Sequence, residues 1–326
     1  MKTIEKDIKV DKYSSKIFNM YFGGKSFAVY DIESTGLSPA YCKVIISGML
    51  FYPGRGDDAK VIQLFADKPD DEKEILEKTS ELLADIDFIV TFNGRHFDIP
   101  FVLKRAEKHH IDFPNKIYDL DLYLVLNGHS GLREVLPSLS QKNVERYMGL
   151  SDSRDDEISG GESVKLYEQY MNTKSFQLEE KILLHNYDDL VQLYHLIPVI
   201  AASDFHAAMF KLGFQAGNLN ISKILFKGHE LHIQANQYKN PVDYIAFPTL
   251  DNPCSIIMNK ASGDAEIIIP CEVAAGAFYF DAGAILGDKV LEIEAYPAIV
   301  NDYLIVNDNG RINYMEINAF LLTMLN

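Results

Sequence analysis

Residues 26–36 read SFAVYDIESTG. From Ser26 to Ile32 the run is apolar, aromatic and β-branched, which is the composition of a strand, and Ser34, Thr35 and Gly36 break it. Asp31 and Glu33 are two apart, so in a strand their side chains leave the same face, at its C-terminal end. Two carboxylates side by side repel each other unless a cation lies between them. Taken alone, the pair also fits a solvated strand end, and Glu292 and Glu294 repeat the spacing elsewhere.

Outward from this run, strand-like and helix-like segments alternate. VIISGMLFY (44–52) and KVIQLFA (60–66) read as strands that follow the first as a meander. Asp71 to Leu83 reads as a helix with Ile75, Leu76, Leu82 and Leu83 inside. DFIVTFN (87–93) is a further strand, and Phe97 to His110 a further helix. KIYDLDLYLVL (116–126) begins as a strand and ends as a helix. Helical periodicity returns over Val164–Tyr170 and Leu178–Ile197, and Gly160-Gly161 reads as a turn. A meander followed by strands interleaved with helices predicts an α/β domain over residues 1–200, a mixed sheet flanked by helices. Beyond Ser203 the texture changes to short strand-type runs punctuated by Asn, Asp, Gly and Pro. This predicts a smaller β-rich accessory domain over 201–326, closed by a helix through Met315 to Leu325.

A chain of 326 residues, 47% hydrophobic and 24% charged, has the composition of a globular protein. No apolar run approaches the roughly 18 residues of a membrane span. The opening MKTIEKDIKVDK lacks the apolar stretch of a secretory signal. Three dispersed cysteines without a CxxC pair argue against a disulfide framework or a cysteine-built zinc site. A cytoplasmic location is the expectation. The net charge of −16, from 47 acids against 31 bases, repels phosphate backbones at long range and, taken alone, argues against a non-specific nucleic-acid coat. It leaves room for action on nucleic acid where part of the negative charge serves to hold divalent cations.

Two further stretches carry acids in suggestive places. In TFNGRHFDIPF (91–101) a strand ends at Asn93-Gly94 and a helix starts near Asp98, with Pro100 in its first turn. Asp98 could cap that helix, but it again stands at the C-terminal end of a strand, where ligands gather in open α/β sheets. In LLHNYDDLVQLYHL (183–196), His185 and Asp189 lie one helical turn apart. Asp189 shares a face with Ile182, Asn186, Leu193 and Leu196, whereas Asp188 shares one with Lys181, Gln192 and His195, expected to face solvent. An acid on an apolar-leaning face needs a partner or a metal. Four carboxylates (Asp31, Glu33, Asp98, Asp189) and a histidine, with no cysteine, suit two ions of Mg²⁺ or Mn²⁺ rather than zinc. Such a pair can clamp the attacking and leaving oxygens of a phosphoryl displacement, with His185 accepting a proton from water.

With these residues in hand, the chain resembles the DEDD 3′→5′ exonucleases of the ribonuclease H-like superfamily. VYDIESTGLSP is similar to their first motif, TFNGRHFDIPFV to their second and HNYDDLVQL to their third. The second motif also resembles that of the proofreading domain of family B DNA polymerases. The match is nearer to the YprB-type ribonuclease H-like exonucleases, whose intervening pattern corresponds to SLSQKNVERYMGLSDSRDDEISGGESVKLYEQYM (138–171). The resemblance covers Ser26 to Pro198 and not the C-terminal part. It implies that Asp31 bridges two metals, that Glu33 and Asp189 complete one shell, that Asp98 holds the other ion, and that His185 is the general base. In that superfamily the base is a histidine five residues before the last acid or a tyrosine four before it; here a histidine stands at the tyrosine spacing.

The resemblance further implies removal of nucleotides from the 3′ end of single-stranded DNA or RNA. Phosphates would be gripped through the metals and bases by nearby aromatics. Thr35, Asn93, Arg95 and Phe97 are the expected substrate-binding residues, with Phe92 and His96 beside them. Lys104, Arg105 and Lys108 also read as the solvated face of an ordinary helix, and the Asp119/Asp121 pair as a weaker site-lining candidate. The acidic C-terminal part is expected to bind a protein partner or to shape access to the site. The alternative reading is a non-catalytic nucleic-acid- or protein-binding module that keeps the fold, motivated by the histidine spacing and the net charge.

Overall fold

A computed structural model describes residues 1–52, 58–114, 117–150, 158, 160–249 and 251–326. Lys116 and most of Ser151–Ser159 in the two patterned stretches quoted above lie outside these. The chain forms two compact units: Met1–Ser14 with Gly24–Ser203, and Ser15–Gly23 with Asp204–Asn326. Helix α1 (Lys16–Phe22) therefore belongs with the C-terminal residues, although by position it falls inside the stretch 1–200.

In the first unit, β1 (Lys2–Lys9), β2 (Phe27–Ser34), β3 (Val44–Tyr52), β4 (Asp58–Phe65), β5 (Phe88–Thr91) and β6 (Tyr118–Asp121) make one sheet, ordered β1-β4-β3-β2-β5-β6. β2, β3 and β4 form the antiparallel meander, and β5 and β6 run parallel to β2. This is the mixed sheet that the sequence predicts. β2 and β3 are covered on both faces, which is why they read as continuous apolar runs instead of alternating ones. β1 lacks the apolar pattern of the other strands. It is an edge strand paired antiparallel to β4, and its charged residues Lys2, Glu5, Lys6, Asp7 and Lys9 hide a strand that buries only part of one face.

The helices of this unit are α2 (Glu72–Leu83), α3 (Asp98–His109), α4 (Leu122–His129), α5 (Leu132–Val135), α6 (Gln141–Tyr147), α7 (Gly160–Thr173) and α8 (Phe176–Leu196). Gly160 and Gly161, expected in a turn, open α7, with Glu162 in the first turn where a carboxylate meets the positive helix end. Helices α2 and α8 cover opposite faces of the sheet. Thr79 of α2 donates its hydroxyl to Ser47 Oγ on β3 at 2.8 Å. The next residue, Gly48, points to the other face, where a Cβ would fall on the Asn186 amide of α8. The core between these layers includes Tyr30, Ile32, Val44, Ile46, Ile75, Leu76, Phe101, Val102 and Ile182.

Arg105 corrects one expectation. Instead of a solvated helix face it occupies the interior at 1% exposure. Its guanidinium donates to both carboxylate oxygens of Glu72, at 2.7 and 2.5 Å, and to the Pro39 carbonyl at 3.0 Å. Burial pushes the Glu72 carboxyl up, but hydrogen bonds from Arg105, His109 and the Val44 N–H outweigh it and hold the group below its usual range. Lys104 does face solvent, paired with Glu107.

The second unit is β-rich, as the sequence predicts. One sheet runs β10-β11-β12-β9-β8-β7, from β7 (Phe214–Ala216), β8 (Leu219–Lys227), β9 (Glu230–Gln237), β10 (Tyr244–Ala246), β11 (Ser255–Met258) and β12 (Asp264–Pro270). A second, smaller sheet holds strands between Glu272 and Ile312. Helices α1, α9 (Phe205–Leu212), α10 (Ala282–Leu286) and α11 (Tyr314–Leu325) complete the unit. Tyr21 of α1 is fully enclosed there, its hydroxyl bonded to His206 Nδ1 at 2.8 Å and receiving Asn318 Nδ2 at 2.9 Å. Among the described residues no helix is long and apolar enough to cross a membrane.

Candidate active site

Strands β2 and β5 pair only as far as Val29 and Val90. Beyond that point the chain after β5 turns away, and the Ile32 N–H donates to Asp98 Oδ1 at 3.1 Å. A crevice therefore opens at the C-terminal ends of two parallel strands, between motifs far apart in sequence. Asp31 and Glu33 project from β2 into it. Asp98, the first residue of α3, enters from the other side, its carboxylate accepting from the Ile32 N–H of β2 and from its own N–H.

The turn that places Asp98 is tightly specified. Asn93 takes the left-handed conformation at φ 67°, which asparagine tolerates better than most residues. A Cβ on Gly94 would strike the Thr91 side chain. The backbone N–H groups of Asn93 and Arg95 donate to the two oxygens of Asp121 at 2.9 and 3.1 Å, and Asp121 also caps α4 through Leu124 N. Asp119 accepts the Thr91 hydroxyl at 2.8 Å, while Arg95 donates to the Asp119 carbonyl and lies over the Tyr118 ring. The Asp119/Asp121 pair thus builds the turn and does not line the crevice.

Helix α8 supplies the rest. His185 Nε2 lies 3.5 Å from Glu33 Oε1 and 3.6 Å from Asp189 Oδ2. The ligand atoms of Glu33, His185 and Asp189 all lie within 4.8 Å of one another, close enough to share one cation. Asp189 lines the crevice and Asp188 does not. The expectation that Asp188 faces solvent is nonetheless wrong: Asp188 and Gln192 are both buried. Gln141 of α6 donates to the Asp189 carbonyl at 3.0 Å.

Asp31, Glu33, Asp98, His185 and Asp189 together line a cleft of about 770 Å³, walled by Leu37, Phe92, Asn93, Phe97 and the start of α6 and α7. The electrostatics follow from crowding. Burial, followed by repulsion from Asp98, Asp189 and Glu33, raises the Asp31 carboxyl well above its usual range. Burial raises Glu33 to about 7, opposed by His185 and assisted by Asp189. Burial likewise raises Asp98 to about 7, although the Ile32 N–H pulls it down. Carboxyls held this far up are suited to a site that exchanges protons for a divalent cation.

Two expected substrate-binding residues lie outside the cleft wall. Thr35 holds the strand end instead, its N–H donating to the Lys43 carbonyl and its hydroxyl accepting the Lys43 N–H at 3.0 Å. Arg95 is occupied by the Asp119 carbonyl. The cleft also depends on two amides beside its acids. Asn186 Nδ2 donates to Asp31 Oδ2, and Gln63 Nε2 donates to Asn186 Oδ1, both at 2.9 Å. The one sequence signal for them was Asn186 on the same helical face as Asp189.

No curated protein matches the chain. Among solved structures it is similar to a family B DNA polymerase from the hyperthermophilic archaeon Pyrobaculum calidifontis, at 13% identity and TM-score 0.44 over 92% of this chain and 46% of that one. It is also similar to exonuclease I, at 12% identity and TM-score 0.35 over 72% and 55%. The chain thus spans about half the length of each. The family model of the RNase_H superfamily matches residues 28–201, more than half of the chain. That match takes in β2 to β6, the helices around them and every acid of the cleft, so sequence and architecture agree: the chain belongs to the RNase_H superfamily and carries its mixed-sheet fold.

Proposed function

We propose that the chain is a nuclease, a metal-dependent 3′→5′ exonuclease of the DEDD pattern and YprB type that hydrolyses phosphodiester bonds of single-stranded nucleic acid. The observation that carries this reading is the convergence of Asp31, Glu33, Asp98, Asp189 and His185 on one cleft at the open ends of β2 and β5. The donor set fits divalent cations: hard carboxylate oxygens, with burial and mutual repulsion raising the Asp31, Glu33 and Asp98 carboxyls. Asp31, Glu33, Asp98 and Asp189 are the residues that would hold Mg²⁺ or Mn²⁺. When bound, such ions neutralise phosphoryl charge and favour both the attacking and the leaving oxygen.

The chain's own groups do the rest. His185 accepts the proton of the attacking water at Nε2, and Glu33 and Asp189 on either side stabilise the imidazolium that results. Phe92 and Phe97 on the cleft wall offer faces for bases, and Asn93 offers an amide to the sugar or phosphate. The acidic β-rich part is assigned to a protein partner in the cytoplasm, since its charge disfavours phosphates.

A covalently closed single-stranded circle tests the exonuclease reading. The linear form is expected to be degraded from its 3′ end while the circle survives. Cleavage of the circle would contradict it in favour of an endonuclease.

A further inference from the structure

A second cavity, about 720 Å³, adjoins the cleft and shares Phe92, Asn93, Ser140 and Gln141 with it as a common wall. Its chemistry is the opposite of the cleft's. Its lining contains no carboxylate, and its charged member is Arg133 of α5. In a chain with net charge −16, a cavity wall with a cation and no acid stands out. Arg133 is exposed and, among the described residues, has no ion pair. Tyr123 of α4 packs edge to face against Phe92 in the cavity wall, ring centroids 6.0 Å apart and planes at 62°. Both rings are half-buried, so each keeps an open surface.

We infer that this cavity is a nucleotide subsite, which takes the part of a single strand that runs on from the bond held in the cleft. Aromatic faces accept any base by stacking, and a guanidinium accepts a phosphate. The volume is that of a small-ligand site. Continuity through Phe92 and Asn93 lets one strand pass from the acidic cleft, which needs cations to accept phosphate, to a wall that accepts it directly. The inference rests on the nuclease reading for its substrate class, and its test is independent of hydrolysis.

The test is fluorescence anisotropy of a short labelled single-stranded oligonucleotide, in EDTA so that no turnover occurs, with the full chain. Arg133→Ala and Tyr123→Ala are each expected to weaken binding about tenfold. Tyr123→Phe retains affinity because it keeps the ring. Arg133→Ala lowers the salt slope of log K by about 0.7, the share of one phosphate contact on a single strand. Lys78→Ala, on the exposed face of α2, serves as a charge control and is expected to bind like wild type. Wild-type affinity in Arg133→Ala and Tyr123→Ala, or no binding by wild type, overturns the subsite even if hydrolysis is found. Arg133-dependent binding without hydrolysis under Mg²⁺ or Mn²⁺ supports the subsite and contradicts the nuclease reading.

Discussion

Asn186 Nδ2 donates to Asp31 Oδ2 across 2.9 Å, joining the third sequence motif to the first. The other end of the same amide accepts Gln63 Nε2, also at 2.9 Å, and Gln63 reaches the Leu183 carbonyl at 2.8 Å. With both ends engaged, the amide has one orientation, and Asp31 keeps a single rotamer amid three other carboxylates. This bond also pulls the Asp31 carboxyl down against burial and repulsion.

Replacing Asn186 by Leu removes that donor at nearly constant volume. Nucleotide release is expected to fall by about 10- to 100-fold, the usual cost of losing a group that orients a ligand. Stability falls by about 1–3 kcal/mol, since Asp31 then lacks its partner. Initial rates and urea midpoints measure the two effects; unchanged rates would remove Asn186 from the site.

Gly48→Ala attacks the same contact from the sheet. Its Cβ falls on the Asn186 amide, and α8 cannot retreat without loosening His185 and Asp189. A loss of about 1–3 kcal/mol is expected from overpacking, with activity reduced together with stability. A thermal melt beside a rate measurement checks this.

The raised carboxyls set a pH dependence. Glu33 and Asp98 lie near 7 in the folded chain, above their ordinary values of 4.5 and 3.8. Between those limits the folded state holds more protons than the unfolded one. Their contribution to stability is therefore largest at the acid end of that window and is lost as pH rises through about 7. Divalent cations compete with those protons, so cation affinity rises over the same range. Urea titrations in EDTA at pH 5.5 and pH 8 should show this, with the difference reduced in Asp98→Asn. Equal slopes in the two proteins would contradict it.

Arg105→Met leaves Glu72 buried with only His109 and the Val44 N–H, and frees the Pro39 carbonyl. Breaking one side of a buried pair costs about 3–5 kcal/mol. The shift in the urea midpoint measures it, and an effect below about 1 kcal/mol, the range of an exposed pair, would contradict the buried geometry.

Much of the first unit was legible because its strands and helices bury strong patterns. The runs at 27–30, 44–52 and 88–91 are mostly apolar, and Gly, Pro or Asn lies shortly beyond them. The acids stood out by position at strand ends and on one helical face. What stayed hidden depends on tertiary neighbours. β1 looks like a charged leader until β4 gives it a partner. Arg105 looks solvated until Glu72, from a helix 33 residues away in sequence, closes on it. Asp188 looks exposed on its helix, yet the folded chain buries it. Thr35 and Arg95 sit in the right motifs, and only coordinates reveal that their hydrogen bonds are spent on the backbone.

The central claim is that these carboxylates hold cations for hydrolysis at a 3′ end. The most direct measurement compares wild type and Asp31→Asn on 3′- and 5′-labelled single-stranded DNA and RNA, with Mg²⁺, with Mn²⁺ and with EDTA. The expected result is a ladder receding from the 3′ end that needs the cation and vanishes in a folded Asp31→Asn protein. A fully active Asp31→Asn, or a folded wild type that cuts none of these substrates, would contradict the account.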